Sequence, residues 1–591
     1  MSMPDMIEQI HSRFVRALQG AFGDAVADTD PLIAPAGNLK FGDYQANVAM
    51  SLGKRLKRNP REVADEIVAN LDKQGLFDDV EVAGPGFINL RLCADAIAGE
   101  LAVLSGDDHL GIARPAQRQT IVVDYSGPNV AKEMHVGHIR STIIGDCIAR
   151  VLAMQGHDVV RQNHLGDWGT QFGMLIEHLL DKEQTFPDVR QLEDYVIQDL
   201  ETFYRDAKRK FDTDPEFAIR ARKRVVALQA GDERTLKLWK MIVDESRTHF
   251  SDVYERLNVN LNNGDLKPES AYNDALVDIV NGLADAGLLQ ESQGARVVFA
   301  PGFEDADGHP LPMIVQKSDG GYLYATTDLA AARHRIDERG AARIIYVTDA
   351  RQSQHFAMVF ATLRMVGWAG PHVRLDHVPF GTILGKDNRP FKTRQGGTVK
   401  LIDLLDEAEQ RAAAIINQKN PDLPDGKREA IAHAVGIGAL KYADLSNDRV
   451  KDYVFDWDRM LAFDGNTAPY LQNAYVRIRS IFRKAHEQDI DTSAIDASPI
   501  VLGNPPERAI ALQLLQFPRM VDVVADSLEP HRLCNYLYDL ATAYHKFYEA
   551  CPVLTADNVA TRNSRLRLSA LAATTLRTGL NLLGIDVNEQ M

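Results

Sequence analysis

Thr120 to Tyr125 (TIVVDY) is an apolar, β-branched run of the kind that forms a buried parallel strand. A helical pattern follows from about Val136 to Met154, with Ile139, Ile143, Ile144, Ile148, Val151 and Leu152 near helical spacing and Gly156 suited to its C-terminal stop. Asp158 to His164 then reads as strand again. Strand, helix and strand in this order form a βαβ unit, which points to a doubly wound nucleotide-binding sheet. Ligands of such sheets sit beyond the carboxyl ends of the strands, so the loop between the first strand and its helix is where chemistry is expected.

That loop reads Ser126-Gly-Pro-Asn-Val-Ala-Lys-Glu-Met-His135-Val-Gly137-His138. The N-terminus of a helix offers free N–H groups and a positive dipole end to phosphate oxygens. Gly137 lets an adenine ring approach the backbone. His135 and His138 share a helix face and can both donate to a triphosphate, stabilising the five-coordinate phosphorus as a carboxylate displaces pyrophosphate. There is no Walker A loop, since Gly381 to Lys386 has the wrong spacing, and no GxGxxG fingerprint. With His164 the two histidines could instead hold a metal in a hydrolase, although no HExxH helix supports that, or they could be structural. Spacing alone leaves the three readings open.

With 591 residues the chain can bury several cores. Residues 1–115 read as an α+β module, with helices near Met6 to Ala21 and Arg61 to Leu71 and a strand at Phe87 to Leu92 introduced by Gly84-Pro-Gly86. Residues 116–398 read as an α/β domain, interrupted at about 181–262 by a charged helical insertion. Strands return at Arg296 to Phe299, Met313 to Lys317, Arg343 to Val347 and Val378 to Thr382. From Val399 onward only helical patterns are visible, including Ile402 to Asn417, Arg508 to Ser527, Leu533 to Tyr548 and Arg562 to Leu583. Residues 399–452 are taken as a helical connection and 453–591 as an all-α domain.

Composition narrows the setting. Glu8, His11, Arg13 and Arg16 interrupt any signal-peptide core, and no run of eighteen apolar residues suggests a membrane span. Four scattered cysteines form no CxxC pair, which fits a reducing cytoplasm. Lys and Arg total 66 against 82 Asp and Glu, a formal net charge of −16, so any nucleic-acid partner must meet local basic surface. Clusters such as Lys208 to Lys210, Arg220 to Arg224, Arg477 to Lys484 and Arg562 to Arg567 permit this, although each alone reads as a solvated helix face.

His135-Val-Gly-His138 resembles the HIGH signature of class I aminoacyl-tRNA synthetases, and Ser126 to Gly145 (SGPNVAKEMHVGHIRSTIIG) resembles the form found in arginyl-tRNA synthetases. The resemblance extends to Phe41-Gly-Asp-Tyr-Gln-Ala-Asn47, Gly166-Asp-Trp-Gly-Thr-Gln-Phe-Gly173, Tyr322-Leu-Tyr324-Ala-Thr-Thr-Asp328, Asp349-Ala-Arg-Gln-Ser-Gln-His355, Phe391 to Thr398 and Gly465 to Tyr470. It implies a multidomain α/β protein: a Rossmann-like class I catalytic domain with a helical insertion, an α+β N-terminal domain for the tRNA D-loop, and an all-α anticodon-binding domain. The implied reaction joins ATP and L-arginine into arginyl-adenylate and transfers arginine to tRNA(Arg), with Mg²⁺ accompanying ATP, no zinc, no membrane, and a cytoplasmic monomer.

The same resemblance assigns residues. Asp124, Tyr324 and Asp328 match guanidinium-binding positions, suited to a planar cation that carboxylates hold in a fork. Ser126, Asn129 and Gln352 fall on the amino-acid side. Asp328 read locally is a plain helix N-cap. Asp349 and His355 are candidates near the ATP ribose. The lysine-rich second signature departs here, Thr393 standing where its second lysine is expected. Lys132 is therefore the first candidate for neutralising pyrophosphate, with Lys392, Lys386 and Arg394 as the others. Phe87 and Asn89 are candidates for an unstacked base, and Tyr470, Gln472, Tyr475 and Arg479 for the anticodon side, although aromatics at helical spacing are as often packing residues. A metal-dependent hydrolase and a non-catalytic RNA-binding relative are the rivals. The first predicts a bound transition metal, and the second predicts loss of His135, His138 or Asp328, all of which are retained.

Overall fold

Three parallel pairings build the central sheet of the computed structural model, which describes residues 6–26, 28–183, 200–392, 399–493 and 495–591. In chain order the strands are β1 (Ile33–Pro35), β2 (Tyr44–Ala46), β3 (Phe77–Ala83), β4 (Phe87–Leu92), β5 (Thr120–Asp124), β6 (Asp158–Gln162), β7 (Leu289–Ser292), β8 (Ala295–Glu304), β9 (Pro310–Gln316), β10 (Arg343–Asp349), β11 (Arg374–Phe380), β12 (Ile383–Leu384) and β13 (Tyr453–Val454). The central sheet has the order β11-β10-β5-β6. The chain passes from β5 to β6 on one side, then returns for β10 and β11 on the other. That reversal puts the topological switch point between β5 and β10.

The helix Val136–Met154 crosses from β5 to β6, and Gly156 follows it with φ +96°, the left-handed geometry that suits glycine at such a stop. Gly145 lets this helix lie close to the chain leaving β5, because a Cβ there would collide with the Tyr125 side chain. Ile121, Val122 and Val123 of β5 are buried, as expected for a strand covered on both faces.

Two expected strands belong elsewhere. Arg296–Phe299 and Met313–Gln316 lie in the antiparallel sheet β7-β8-β9, outside the parallel one. Only a turn around Gly308, φ +82°, separates β8 from β9, and a parallel pair would need a crossover of about a dozen residues or more. The expected helix from Arg508 to Ser527 is two helices, Pro505–Leu514 and Phe517–Ser527. Pro518 has no N–H, and its ring would strike the Leu514 carbonyl in a continuous helix. The region beyond Val399 is helical except for β13, which pairs in parallel with β12.

In the insertion the helices Leu200–Thr213, Pro215–Gln229 and Glu233–Arg256 lead back to the catalytic sheet. The N-terminal sheet, order β1-β2-β4-β3, is pinned to the C-terminal helices by buried Asp43, which accepts from Arg508 Nε at 2.9 Å and Nη2 at 2.5 Å. No described helix is long and apolar enough to cross a membrane.

Candidate active site

Asp124 ends β5 beside Tyr346 of β10, and a cleft of about 890 Å³ opens over this switch point. One group of lining residues is acidic and amide-rich: Asp124, Ser126, Asn129, Glu269, Asp328 and Gln352, with Tyr324, His164 and His355. The other group comprises His135, Gly137, His138, Asp349, Arg351, Phe380 to Ile383, Phe391 and Lys392.

Asp328 is not a helix cap. The helix Tyr324–Asp337 has Leu323 at its N-cap, which puts Asp328 in the second turn, on the same face as Tyr324. Its Oδ2 accepts from His355 Nε2 at 2.6 Å, and His164 Nε2 lies 3.9 Å from Oδ1. The Tyr324 ring packs on His355 at 4.8 Å between centroids. His355 is thus tied to Asp328, and Asp349 is paired with exposed Arg351 through Oδ1 and Oδ2, both at 2.8 Å; both residues line the cleft. Asp124 is likewise engaged, accepting through Oδ2 from Nη2 of fully buried Arg335 at 2.7 Å.

Glu269, absent from the sequence candidates, joins this cluster at the start of a short helical turn, Glu269–Ala275. Burial, then the neighbouring charges of Asp328 and Asp167, push its carboxyl up to about 8. At neutral pH this carboxyl is therefore mostly protonated, and a cation beside it would favour its ionised form. Nothing local in Lys267-Pro-Glu-Ser270 signals this role; the fold brings Glu269 to Asp328 from 59 residues away, the difference between 328 and 269.

His135 is the N-cap of the Val136–Met154 helix. Its Nδ1 accepts from Gly137 N–H at 3.0 Å, and His138 Nδ1 accepts from His135 N–H at 3.1 Å. A neutral imidazole that accepts at Nδ1 carries its proton on Nε2. Burial, then the positive field of His135, pushes His138 down to about 3; burial and Lys132 lower His135 as well. The pair is thus neutral at physiological pH and presents two N–H donors. Gly137 is required here, since a Cβ would lie 2.8 Å from the His135 ring.

The second signature segment returns to the first. Val136 N–H donates to Val399 O at 3.0 Å, Leu401 N–H to Met134 O at 2.8 Å, and Lys400 Nζ pairs with Glu133 at 2.7 Å. Phe391 and Lys392 line the cleft, whereas Thr393 and Arg394 lie outside the described residues. Lys132 is not a lining residue, contrary to its expected reach. Its Nζ sits 4.7 Å over the Tyr204 ring of the insertion, a cation–π contact. Lys386 is paired with Asp456 at 3.1 Å, which leaves Lys392 as the described lysine of the cleft.

The RNA candidates divide. Phe87 is half-buried, and Asn89 is buried and accepts from Gln45 Nε2 at 2.8 Å, whereas Phe41 is 57% exposed. Tyr470 packs against Tyr538 and His545 but is only half-buried. Gln472 and Tyr475 are buried. The amide of Gln472 donates to Ala434 O and Asp586 O, and Tyr475 OH to Glu589, so both serve packing rather than an RNA surface. Arg479 is half-buried and paired with Glu589 at 2.6 Å.

Comparisons with known proteins fit this geometry. The family model for the catalytic domain of class I (R) tRNA synthetases matches residues 101–457, the arginyl-tRNA synthetase N-terminal domain matches 8–92, and the DALR anticodon-binding domain matches 471–591. The arginine–tRNA ligase of Laribacter hongkongensis is 51% identical over 586 residues, covering 99% of this chain and 100% of its own. That of Escherichia coli is 50% identical over 585 residues, with the same coverage. Among solved structures, arginyl-tRNA synthetase from Plasmodium falciparum superposes with a TM-score of 0.84 at 30% identity over the whole of both chains. The Thermus thermophilus enzyme gives 0.80 at 27% identity, covering 99% of this chain and 100% of its own.

Proposed function

Because the chain belongs to the class I arginyl-tRNA synthetases and activates arginine with ATP before transferring it to tRNA, we propose that the cleft divides these tasks between its two groups of residues. Asp328 and Glu269 hold the guanidinium, with Tyr324 and Asp124 beside it. Ser126, Asn129 and Gln352 take the α-amino and carboxylate groups. His135 and His138 donate through Nε2 to the triphosphate, which enters as its Mg²⁺ complex. Lys392, with Arg394 two residues further along the chain, neutralises departing pyrophosphate. The arginine carboxylate then attacks the α-phosphorus in line, a step that needs alignment and charge stabilisation more than a base. The N-terminal module and the C-terminal helices carry the D-loop and anticodon contacts, and three buried, unpaired cysteines support a reducing cytoplasm.

One observation carries the assignment: two carboxyl groups converge beside a pair of neutral histidine donors at the switch point. Arginine-dependent ATP–pyrophosphate exchange, measured with and without tRNA, tests it. Exchange should require arginine and be seen when tRNA is present. No exchange with ATP, arginine and tRNA together would overturn the reading.

Glu269 adds a pH signature. Its carboxyl titrates near 8 in the empty site and must ionise to pair with the guanidinium, so arginine binding releases a proton. Affinity should therefore improve as pH rises from 7 to 9, with arginine KM falling about tenfold as the free site loses that proton. In Glu269→Gln the KM should be higher and this slope should vanish. A slope that persists in the variant assigns the ionisation to another group.

A further inference from the structure

The loop from Tyr125 to His135 holds its shape at a local cost. Ser126 has φ +74° and Ala131 φ +65°, a region that disfavours side-chain-bearing residues. Both positions are satisfied from one distant element, the insertion helix Glu233–Arg256. Ser246 Oγ accepts the Ala131 N–H at 2.9 Å, and Tyr254 OH lies 2.8 Å from Ser126 Oγ. Ser246, Tyr254 and Ser126 are all buried, so water cannot substitute for these bonds.

Asn163 Nδ2 donates to Tyr254 OH at 2.8 Å, so the phenol is held between Asn163 and Ser126. Thr142 has one hydroxyl proton and the His138 carbonyl, 2.8 Å away, can only accept it. Thr142 Oγ1 also lies 3.0 Å from Ser126 Oγ. Ser126 thus joins the insertion helix to the second turn of the helix that His135 caps. Ser141 Oγ, which accepts the Ser126 N–H at 2.9 Å, holds the same residue from that helix.

We propose that Tyr254 and Ser246 are positioning residues for arginine, through which the insertion holds Ser126 and Ala131 in the left-handed backbone that presents Ser126 and Asn129 to the substrate. The inference rests on the reading that this loop binds the α-amino and carboxylate groups. It gives the insertion a role at the amino-acid site that its surface charges do not suggest, since Lys208, Lys210, Arg220 and Arg224 are paired within it or with the adjoining helix Thr170–Glu183. Anything that shifts the Glu233–Arg256 helix would be felt first at the arginine subsite.

Tyr254→Phe keeps the ring and removes one hydroxyl, and Ser246→Ala supplies a second variant with little change of volume. Steady-state aminoacylation on the full chain, with thermal midpoints recorded, should show arginine KM raised about tenfold in either variant, the loss of one buried hydrogen bond. ATP KM and kcat should stay within about twofold. A purely structural role would lower the midpoint and move both KM values together, and that result overturns the inference. Asn129→Ala, measured alongside, separates the two readings. If it raises arginine KM while Tyr254→Phe and Ser246→Ala do not, the inference alone falls; if none of the three raises it, the arginine reading of the loop falls as well.

Discussion

Asp328→Asn should raise the arginine KM by about a hundredfold or more while leaving ATP KM nearly unchanged. Asp328 stands in the second turn of its helix with its Oδ2 fixed by His355 Nε2 at 2.6 Å, so its other oxygen is aimed rather than free to rotate. Guanidinium has five donors and no acceptor, and an amide nitrogen facing it is repelled where a carboxylate oxygen was attracted. Breaking one partner of a buried, hydrogen-bonded charge pair costs about 2–5 kcal/mol, which at about 1.4 kcal/mol per decade spans one and a half to three and a half decades. Glu269 cannot fully compensate, because it ionises more easily once Asp328 is neutral but approaches from a different segment. The assignment is wrong if the variant activates arginine at near wild-type kcat/KM.

His138→Ala should lower kcat for adenylate formation about a hundredfold or more with less than threefold change in ATP KM, the pattern expected when a donor acts mainly on charge that builds in the transition state. The chemistry asked of His138 is that of a neutral donor, since its pKa lies about 3 and its Nδ1 is occupied by the His135 N–H. No inflection from this residue should therefore occur between about pH 6 and 8.5. His138→Gln, which keeps a neutral N–H, should retain more activity than His138→Ala. The sign for stability is also set. As pH falls below the unfolded value of 6.5, the unfolded chain takes up a proton that the folded site refuses until about 3, so wild type loses stability across that window relative to His138→Gln. A kcat that tracks protonation near pH 6.5 would contradict the neutral-donor role.

Much of this site was readable in one dimension. The run Thr120 to Tyr125, the helix after it and Asp158 to Gln162 announced a βαβ unit because strand and helix periodicities are written in adjacent residues. The His135 cap and the Gly156 stop are equally local, each set by hydrogen bonds spanning a few positions. Errors arose where a pattern was right but its partner was unknown. Arg296–Phe299 is a strand, yet whether it pairs in parallel depends on the connection after it. Tyr475 and Gln472 have the chemistry of RNA contacts, but the C-terminal segment, through Asp586 and Glu589, already occupies both.

By itself, then, the sequence determined the nucleotide-binding sheet, the histidine pair and the family strings in their order. Only the tertiary structure decided that Glu269 shares the pocket with Asp328, that Lys132 faces Tyr204 while Lys392 lines the cleft, and that Tyr254 and Ser246 hydrogen-bond to the loop from Tyr125 to His135. The physical reason is one of range. Periodicity, caps and turn geometry follow from neighbouring residues, whereas desolvation and charge coupling depend on which remote segments exclude water from the same few cubic ångströms. Glu269 is an ordinary surface carboxylate in sequence, and it becomes a proton-holding group only once folding has brought Asp328 and Asp167 beside it.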